Sequence, residues 1–222
     1  MVYISVVAPM LNEEDIVDIF LTEVGKELEK IDLKYEIIVV DDGSIDKTPI
    51  KLTTKALLDD RIIAICLAKT SGQHHAIKTG LMKSTGEWVV VMDGDLQDSP
   101  KEIRNLLTKA IDGNQIVFAN RTNRPIKISY AILQRIFYMA LNIISGFKFD
   151  YRQANFSIIN KRVVEAYLQA KKYEDFYPAA IRSLGGNIAS INTVCLDRLN
   201  GKSSYSIKSR LKLALRIFRI FK

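Results

Sequence analysis

The sequence has few of the two residue types that build metal clusters and disulfide frameworks: two cysteines and two histidines among 222 residues. Cys66 and Cys195 lie in separate apolar runs and lack metal-ligand spacing, which predicts reduced core residues in a cytosolic protein rather than a disulfide. His74 and His75 are neighbours, so their side chains point apart on a helix or a strand, which argues against joint metal ligation. A polar contact at a helix start is expected for them, with substrate contact as the alternative.

Long apolar runs are also missing, since none approaches the ~20 residues of a membrane span. The N-terminal segment, MVYISVVAPMLNEE, lacks the basic leader, long apolar region and small-residue cleavage site of a signal peptide. No internal repeat or low-complexity linker is present. Because 48% of the residues are hydrophobic, a chain of this length can bury one sizeable core. We therefore expect one domain over residues 1–205 and an appendage at residues 206–222.

Acidic residues are outnumbered, with 25 Asp and Glu against 32 Lys and Arg, a formal net charge of +7 and a pI near 9.3. This balance indicates an anionic partner, which can be nucleic acid, a phosphate-bearing substrate or an anionic membrane surface. The bases are spread along most of the chain, whereas acids gather at the ends of predicted strands, where phosphate without a metal would be repelled. That distribution argues against nucleic acid.

The exception to the even spread is the C-terminal stretch 206–222. Lys212, Arg216 and Arg219 fall on one face of a predicted helix, and apolar residues fill much of the rest. A basic amphipathic helix of this kind suits an anionic membrane interface. The alternatives are a helix packed on its own domain or against another subunit.

Strand and helix patterns alternate along the first half of the chain. Continuous apolar runs at 3–8, 35–40, 61–68, 87–92 and 115–119 predict strands buried on both faces. Helical spacing separates them at 13–30, 49–58, 74–84 and 100–111, with Asn12, Thr48 and Ser99 as expected caps. The second half predicts a helix at 126–144, a strand at 155–159, a helix at 175–184 and a strand at 188–196. The pattern predicts an α/β fold with a doubly wound, mostly parallel sheet.

Carboxylates follow two of these strands. Asp93 and Asp95 end strand four and point to one side, while Gly94 lets the backbone turn closely past a ligand. Asp41 and Asp42 end strand two, and the carboxyl ends of parallel strands share one edge of the sheet. Paired carboxylates suit a hard cation such as Mg²⁺ or Mn²⁺ that completes its shell with substrate phosphates. The alternative is that they cap the following helix or form a solvated turn.

Four motifs, in order along the chain, make the sequence recognisable. They are Pro9-x-x-Asn12-Glu13, Asp41-Asp42-Gly43-Ser44-x-Asp46-x-Thr48, Ser71-Gly72-Gln73-His74-x-Ala76-Ile77-x-x-Gly80-Leu81 and Asp93-Gly94-Asp95-Leu96-Gln97-Asp98-x-Pro100. In the order and spacing of these motifs the sequence resembles the family 2 glycosyltransferases, in particular the branch with dolichyl-phosphate mannose synthase and the bacterial polyprenyl-phosphate glycosyltransferases. The resemblance covers nearly the whole chain and implies the GT-A fold, a nucleotide-sugar donor, a divalent metal and inversion at the anomeric carbon.

The resemblance also implies roles for individual residues. One carboxylate of Asp41 and Asp42 would accept from a nitrogen of the base. Asp93 would approach the ribose or the metal, and Asp95 and Gln97 would meet the metal. The nucleotide pocket implied in this way comprises Pro9, Asn12, Glu13, Asp41, Asp42, Gly43, Ser44, Gly72, Asp93 and Gly94.

Two arginines complete the implied catalytic set with Asp95. Arg121 matches a family arginine after strand five, where a guanidinium holds phosphate by paired hydrogen bonds. Arg198 begins the segment Arg198-x-x-Gly201-x-Ser203-x-Tyr205, which resembles a late family segment that closes over the diphosphate. The alternative for both arginines is a solvated surface charge.

The acceptor decides whether a catalytic base is needed. A polyprenyl phosphate brings an anionic oxygen, whereas a sugar hydroxyl needs a carboxylate to take its proton. Asp175 is the candidate base for a hydroxyl acceptor, with helix capping as its alternative role. Position 155, often acidic in the lipid-phosphate branch, is asparagine and receives no catalytic role.

The expected activity is therefore transfer of a sugar, from a UDP-sugar before GDP-mannose or dTDP-sugars, to a polyprenyl phosphate or lipid-linked saccharide. It would serve cell-surface glycan synthesis at the inner face of the cell membrane. The alternatives are transfer to a saccharide hydroxyl, a catalytically silent nucleotide-binding protein and a basic nucleic-acid-binding module.

Overall fold

The computed structural model describes residues 2–123, 128–170 and 176–197, with the backbone alone for 128–134. The strands are β1 (Ile4–Met10), β2 (Tyr35–Asp41), β3 (Ile62–Cys66), β4 (Trp88–Val91), β5 (Ile116–Thr122), β6 (Gln153–Asn160) and β7 (Ile188–Val194). The helices are α1 (Val17–Ile31), α2 (Thr48–Leu58), α3 (Gln73–Lys83), α4 (Glu102–Ile111), α5 (Ile128–Ser145), α6 (Lys161–Gln169) and α7 (Tyr177–Ser183).

The strands form one seven-stranded sheet in the order β3-β2-β1-β4-β6-β5-β7. All neighbours are parallel except β6, which runs antiparallel to both β4 and β5. The predicted mostly parallel α/β sheet is confirmed. The reversal of β6 matters for the site, because it brings the start of β6 to the edge at which β1, β2, β4 and β5 end.

Helices cover both faces of this sheet. The apolar core on one face includes Phe20 of α1 and Leu106 of α4, and the core on the other includes Ile77 of α3 and Tyr177 of α7. Strand residues alternate between the two, as an extended backbone requires. A third, smaller cluster joins α5 to α7 and to the loop before β6, and it consists of Leu141, Phe149, Phe176 and Ala179.

Some local expectations were wrong. Cys66, expected in the core, is exposed at the end of β3, an edge strand, although both cysteines are free as predicted. Helix α6 was not predicted, yet Asn160 caps it by accepting a hydrogen bond from the N–H of Val163 at 3.0 Å. None of the three expected caps, Asn12, Thr48 and Ser99, caps a helix. Helix α1 begins at Val17, α4 begins at Glu102, and Thr48 is the first residue of α2 itself, after Lys47 at the cap position.

None of the helices within the described ranges has the length and hydropathy that a membrane span requires. The stretch 206–222, expected to be a basic amphipathic helix, lies outside the described residues.

Candidate active site

Asp41 and Asp42 hold two loops at the carboxyl edge of the sheet, and both are almost fully buried. The carboxylate of Asp42 accepts the N–H of Ser71 at 2.7 Å with one oxygen and that of Gly72 at 2.9 Å with the other. Asp41 accepts from the backbone N–H of Ser44 at 3.2 Å and from its hydroxyl. These bonds fix the loops that follow β2 and β3, so both carboxylates shape the expected nucleotide pocket.

Gly43 lies where the same two loops cross. Its φ is +76°, and a Cβ there would lie 2.6 Å from the carbonyl carbon of Lys69 and from the nitrogen of Thr70. Both obstacles are backbone atoms, so no side chain can swing away to make room. The Asp-Asp-Gly motif therefore needs its glycine for a left-handed turn and for a close approach of two backbones.

The loop after β1 is tied to the loop after β2. The N–H of Asn12 donates to Ser44 Oγ at 2.7 Å, and its side-chain oxygen accepts from the N–H of Ile45 at 2.9 Å. The N–H of Glu13 donates to Thr48 Oγ1 at 2.9 Å. The polar residues of the first two motifs thus hydrogen-bond between the loop after β1 and the loop after β2. Because Asn12 is used in this way, it does not cap α1.

Asp93 is surrounded by hydrogen-bond donors. Its Oδ1 accepts from Gln73 Nε2 at 2.7 Å and from Asn155 Nδ2 at 3.3 Å. Its Oδ2 lies 3.4 Å from Nη2 of Arg121. The donors come from the start of α3, the start of β6 and the end of β5, so Asp93 is the point at which four parts of the sheet edge converge.

Burial raises the pKa of Asp93 to about 6. The charge of Arg121 opposes this shift, while the neighbouring carboxylates of Asp98 and Asp95 add to it. Three carboxylates thus share a region in which Arg121 supplies the positive charge acting on Asp93. A like-charge cluster of this kind is relieved by a cation.

Arg121 is directed mainly at Asp98. Its Nε and Nη2 donate to the two carboxylate oxygens at 2.8 and 2.7 Å, and the side chains are 9% and 0% exposed. Burial lowers the pKa of Arg121, but the contacts with Asp98 outweigh this and raise it above its ordinary value. The edge of the Arg121 guanidinium that was expected to hold phosphate therefore binds Asp98 instead. These contacts favour a role for Arg121 in positioning the carboxylates. Binding of phosphate by Arg121 stays a prediction.

The Asp-x-Asp turn lies close to the end of β1. A Cβ on Gly94 would lie 2.6 Å from Cγ of Met10 and 3.1 Å from the carbonyl oxygen of Pro9. Asp95 accepts from the N–H of Gln97 at 3.2 Å through Oδ1. Only a residue without a Cβ fits this approach, which brings the candidate metal turn against the first motif.

The chemistry of these residues fits a hard divalent cation. Asp93, Asp95 and the side chain of Gln97 offer carboxylate and amide oxygens, the ligand type that Mg²⁺ and Mn²⁺ prefer. Within residues 2–123, 128–170 and 176–197, no group of three His, Cys, Asp or Glu side chains could hold a metal ion. A cation at this turn would therefore need further oxygen ligands, which a diphosphate provides.

Three residues of the site were not assigned from the sequence. Gln73 and Asp98 stand inside the recognised motifs, so their positions were available but their contacts were not. Asn155 was set aside because it is not acidic, whereas the structure places its amide against Asp93. The ring of His74 packs edge-on against Phe176, with ring centroids 5.6 Å apart.

Asp175 and Arg198 lie outside the described residues, so their predicted roles stay predictions. The described chain before Arg198 is close to the candidate metal turn. The N–H of Leu196 donates to the carbonyl of Gln97 at 2.9 Å, and Cys195 pairs with Asp98 in a β-bridge.

Solved structures share this fold. The chain is similar to glucosyl-3-phosphoglycerate synthase from Mycobacterium tuberculosis in complex with UDP, with 18% identity, a TM-score of 0.65 and coverage of 99% of this chain and 78% of that one. It is also similar to a mannosyltransferase from Pyrobaculum calidifontis in complex with GDP-Man and Mn²⁺, with 20% identity, a TM-score of 0.65 and coverage of 97% and 62%. These likenesses confirm the GT-A fold.

The sequence model described as glycosyl transferase family 2 matches residues 5–168, and the chain belongs to this family. Its curated relatives include the undecaprenyl-phosphate 4-deoxy-4-formamido-L-arabinose transferases of Photorhabdus laumondii, 29% identical over 211 residues, and Proteus mirabilis, 28% identical over 211 residues. Each alignment covers 95% of this chain and 65% of the relative. The chain thus spans about two thirds of the length of these relatives.

Proposed function

We propose that this chain transfers a sugar from a nucleotide-diphosphate donor to a polyprenyl phosphate in cell-surface glycan synthesis, with Mg²⁺ or Mn²⁺ bound at Asp93, Asp95 and Gln97. The observation that carries the proposal is the carboxylate cluster around Asp93 at the carboxyl edge of a GT-A sheet. Relatives named for undecaprenyl phosphate support the acceptor. Solved neighbours with UDP, GDP-Man and Mn²⁺ support the donor and the metal.

The residues around Asp93 would act by holding it in place. Departure of a nucleoside diphosphate builds negative charge on the leaving oxygen, and a bound divalent cation supplies positive charge there. Gln73, Asn155 and Arg121 each contact Asp93 from a different element, so its carboxylate is oriented before substrate arrives. Preorganised ligands need no rearrangement during the reaction, which lowers the barrier.

A phosphate acceptor agrees with the proton chemistry of the described residues. Asp98 is occupied by Arg121, and the proposed cation would occupy Asp93 and Asp95, so none of these three carboxylates would be available to take a proton from a hydroxyl. Asn155, an amide, cannot act as a base. A phosphate oxygen is already anionic at neutral pH and needs none.

The donor and the location follow from the same set of observations. We favour a UDP-sugar because a similar structure holds UDP, with GDP-mannose next because another holds GDP-Man. A polyprenyl phosphate is a membrane lipid, so the protein would act at the inner face of the cell membrane, as a peripheral protein.

Calorimetric titration tests the donor site. The chain would be titrated with UDP, GDP, dTDP and CMP, each with Mn²⁺ and with chelator, alongside Asp95→Asn and the control Asp60→Asn, which changes an exposed carboxylate. We expect Mn²⁺-dependent binding of one diphosphate that Asp95→Asn abolishes and Asp60→Asn preserves. Absence of binding to every nucleotide would refute the proposed metal and diphosphate site.

Transfer assays then identify the acceptor. The donor found by calorimetry would be offered with a short-chain polyprenyl phosphate and, separately, with saccharide acceptors. We expect product with the phosphate and full activity in Asp175→Asn. Transfer only to a saccharide hydroxyl, lost in Asp175→Asn while donor binding persists, would replace the proposed acceptor.

A further inference from the structure

The outward face of α5 is apolar and uncovered. We define this face by Ile136, Met139, Ile143 and Ile144, which are 53%, 60%, 77% and 50% exposed. The first three follow one another at helical spacing of three and four residues, so they form a continuous row. An apolar row of this size on a helix indicates a surface that contacts another apolar phase.

The inward face of the same helix leads to the candidate active site. Leu141 is fully buried in a cluster with Phe149 and Phe176. Phe176 packs against His74, the residue after Gln73. Packed side chains thus connect the inward face of α5, through Phe176 and His74, to the start of α3, where Gln73 contacts Asp93.

Positive charge borders the outward face. Arg135 and Lys148 are exposed and line a groove of about 490 Å³ beside Met139 and Ile143. Arg135 stacks on the ring of Tyr151 at 5.2 Å, which holds its guanidinium at the rim of the groove.

We propose that the outward face of α5 docks the protein on an anionic bilayer, with the apolar row inserted at the acyl boundary and Arg135 and Lys148 against lipid phosphates. This inference rests on the proposed function, because a polyprenyl phosphate acceptor lies in the bilayer and must reach the carboxylate cluster. An apolar row edged by bases is the pattern of helices that lie in a membrane interface. The surface charge of an anionic leaflet attracts such bases.

Helix α2 provides the contrast. It also exposes apolar side chains, with Ile50 66% and Leu57 86% exposed. Its bases Lys51 and Lys55, however, are both paired with Asp18, at 3.1 and 2.9 Å. The bases of α2 are therefore offset by a carboxylate, whereas no carboxylate of the described residues pairs with Arg135 or Lys148, so α2 serves as the matched control.

Vesicle co-sedimentation of the full chain tests the inference. The vesicles would be pure phosphatidylcholine or equal parts phosphatidylcholine and phosphatidylglycerol. We expect binding to the mixed vesicles to fall roughly tenfold or more in Ile136→Glu/Ile143→Glu and about fivefold for each of Arg135→Gln and Lys148→Gln. Ile50→Glu/Leu57→Glu should bind as the wild type does. Circular dichroism and Mn²⁺-dependent nucleotide binding should be unchanged in all variants, because the substituted side chains are exposed.

The outcomes separate this inference from the proposed function. If the α5 variants bind vesicles as the wild type does, the inference is overturned, because another segment then attaches the chain to the membrane. The proposed function is tested separately, by nucleotide binding. A fall in dimer content without any change in vesicle binding, measured by analytical ultracentrifugation, would assign the face to a second copy and also overturn it. Vesicle binding lost through α5 in a chain that binds no nucleotide would support docking while the proposed function fails.

Discussion

Arg121 and Asp98 form a buried, two-pronged ion pair, with Nε to Oδ1 at 2.8 Å and Nη2 to Oδ2 at 2.7 Å. The two residues are 23 positions apart, on β5 and on the segment that follows the Asp-x-Asp turn. The same Nη2 reaches Asp93 at 3.4 Å. One guanidinium therefore fixes the segment after the turn and the first carboxylate of the turn together.

Removing the charge of Asp98 should be costly. Asp98→Asn leaves the guanidinium of Arg121 buried without its main partner, and breaking a buried pair in this way costs about 3–5 kcal/mol. We expect a loss of that size in the free energy of unfolding, measured by urea denaturation. Because Asp93 loses an oriented neighbour, Mn²⁺ affinity should fall as well.

The control for this variant is Asp59→Asn. Arg61 meets Asp59 through the same two-pronged geometry, with Nε and Nη2 donating, but the two side chains are 48% and 30% exposed. An exposed pair contributes ~0–1 kcal/mol. Equal losses in the two variants would show that burial does not set the strength of the Arg121 pair.

The raised pKa of Asp93 predicts a pH dependence. With a folded pKa of about 6, above the ordinary value near 3.9, the contribution of Asp93 to stability is complete below about pH 4 and is lost as the pH rises through 6. Mn²⁺ binds the ionised carboxylate, so its affinity should fall about tenfold per pH unit below 6. Thermal unfolding with and without Mn²⁺ measures this.

We expect the stabilisation by Mn²⁺ to be large at about pH 7.5 and nearly absent at about pH 5. Asp93→Asn removes the titrating group and should abolish the difference between the two conditions. A gain in melting temperature that is the same at both pH values would contradict a protonated Asp93 in the metal-free protein.

The sequence predicted the carboxylates because their placement follows from local pattern. An uninterrupted apolar run is a buried strand, and acids directly after it lie at the strand's end, as Asp42 and Asp93 do. The partners of Asp93 do not follow in this way. Asn155 is 62 residues distant and reaches Asp93 because β6 is antiparallel to β4. An apolar run predicts that a strand exists, but it does not predict whether that strand runs parallel or antiparallel to its neighbours.

The wrong predictions of helix caps have a common cause, because one residue type can either cap a helix or bind another loop. Asn12 has the side chain of a helix cap, but its oxygen binds the N–H of Ile45 in another loop. Asn160 does cap a helix, and Val163, Val164 and Tyr167 behind it are buried at helical spacing, so α6 carried a signal. The two asparagines differ in their tertiary contacts, because only the fold brings the loop with Ile45 next to Asn12.

Two glycines predict unequal effects of the same substitution. Gly43 and Gly72 both have positive φ, +76° and +101°, but only at Gly43 would a Cβ meet backbone atoms, at 2.6 Å. Gly72→Ala therefore costs backbone strain alone, about 1–3 kcal/mol, because its φ of 101° and ψ of 151° lie in a region that almost only glycine occupies. Gly43→Ala adds a clash that separates two loops. Urea denaturation should rank Gly43→Ala as clearly less stable, with weaker nucleotide binding. Similar losses would mean that the loops at residues 43 and 69–70 move apart freely.

Asn155→Asp tests how much negative charge the site tolerates without a metal. The change replaces an amide that donates to Asp93 at 3.3 Å with a fourth carboxylate, so a hydrogen bond becomes a like-charge contact. We expect the unfolding free energy of the metal-free protein to fall by ~1–3 kcal/mol at neutral pH. Mn²⁺ should recover most of it, because the cation neutralises the added charge.

The matched control is Asn105→Asp on the exposed surface of α4. The amide of Asn105 donates to Glu102 at 2.7 Å, so the substitution creates the same like-charge contact in solvent. There it should cost less than ~1 kcal/mol and show no response to Mn²⁺. If Mn²⁺ stabilised both variants equally, or neither, the cation would not bind beside Asp93, since only a bound charge next to position 155 distinguishes the two sites.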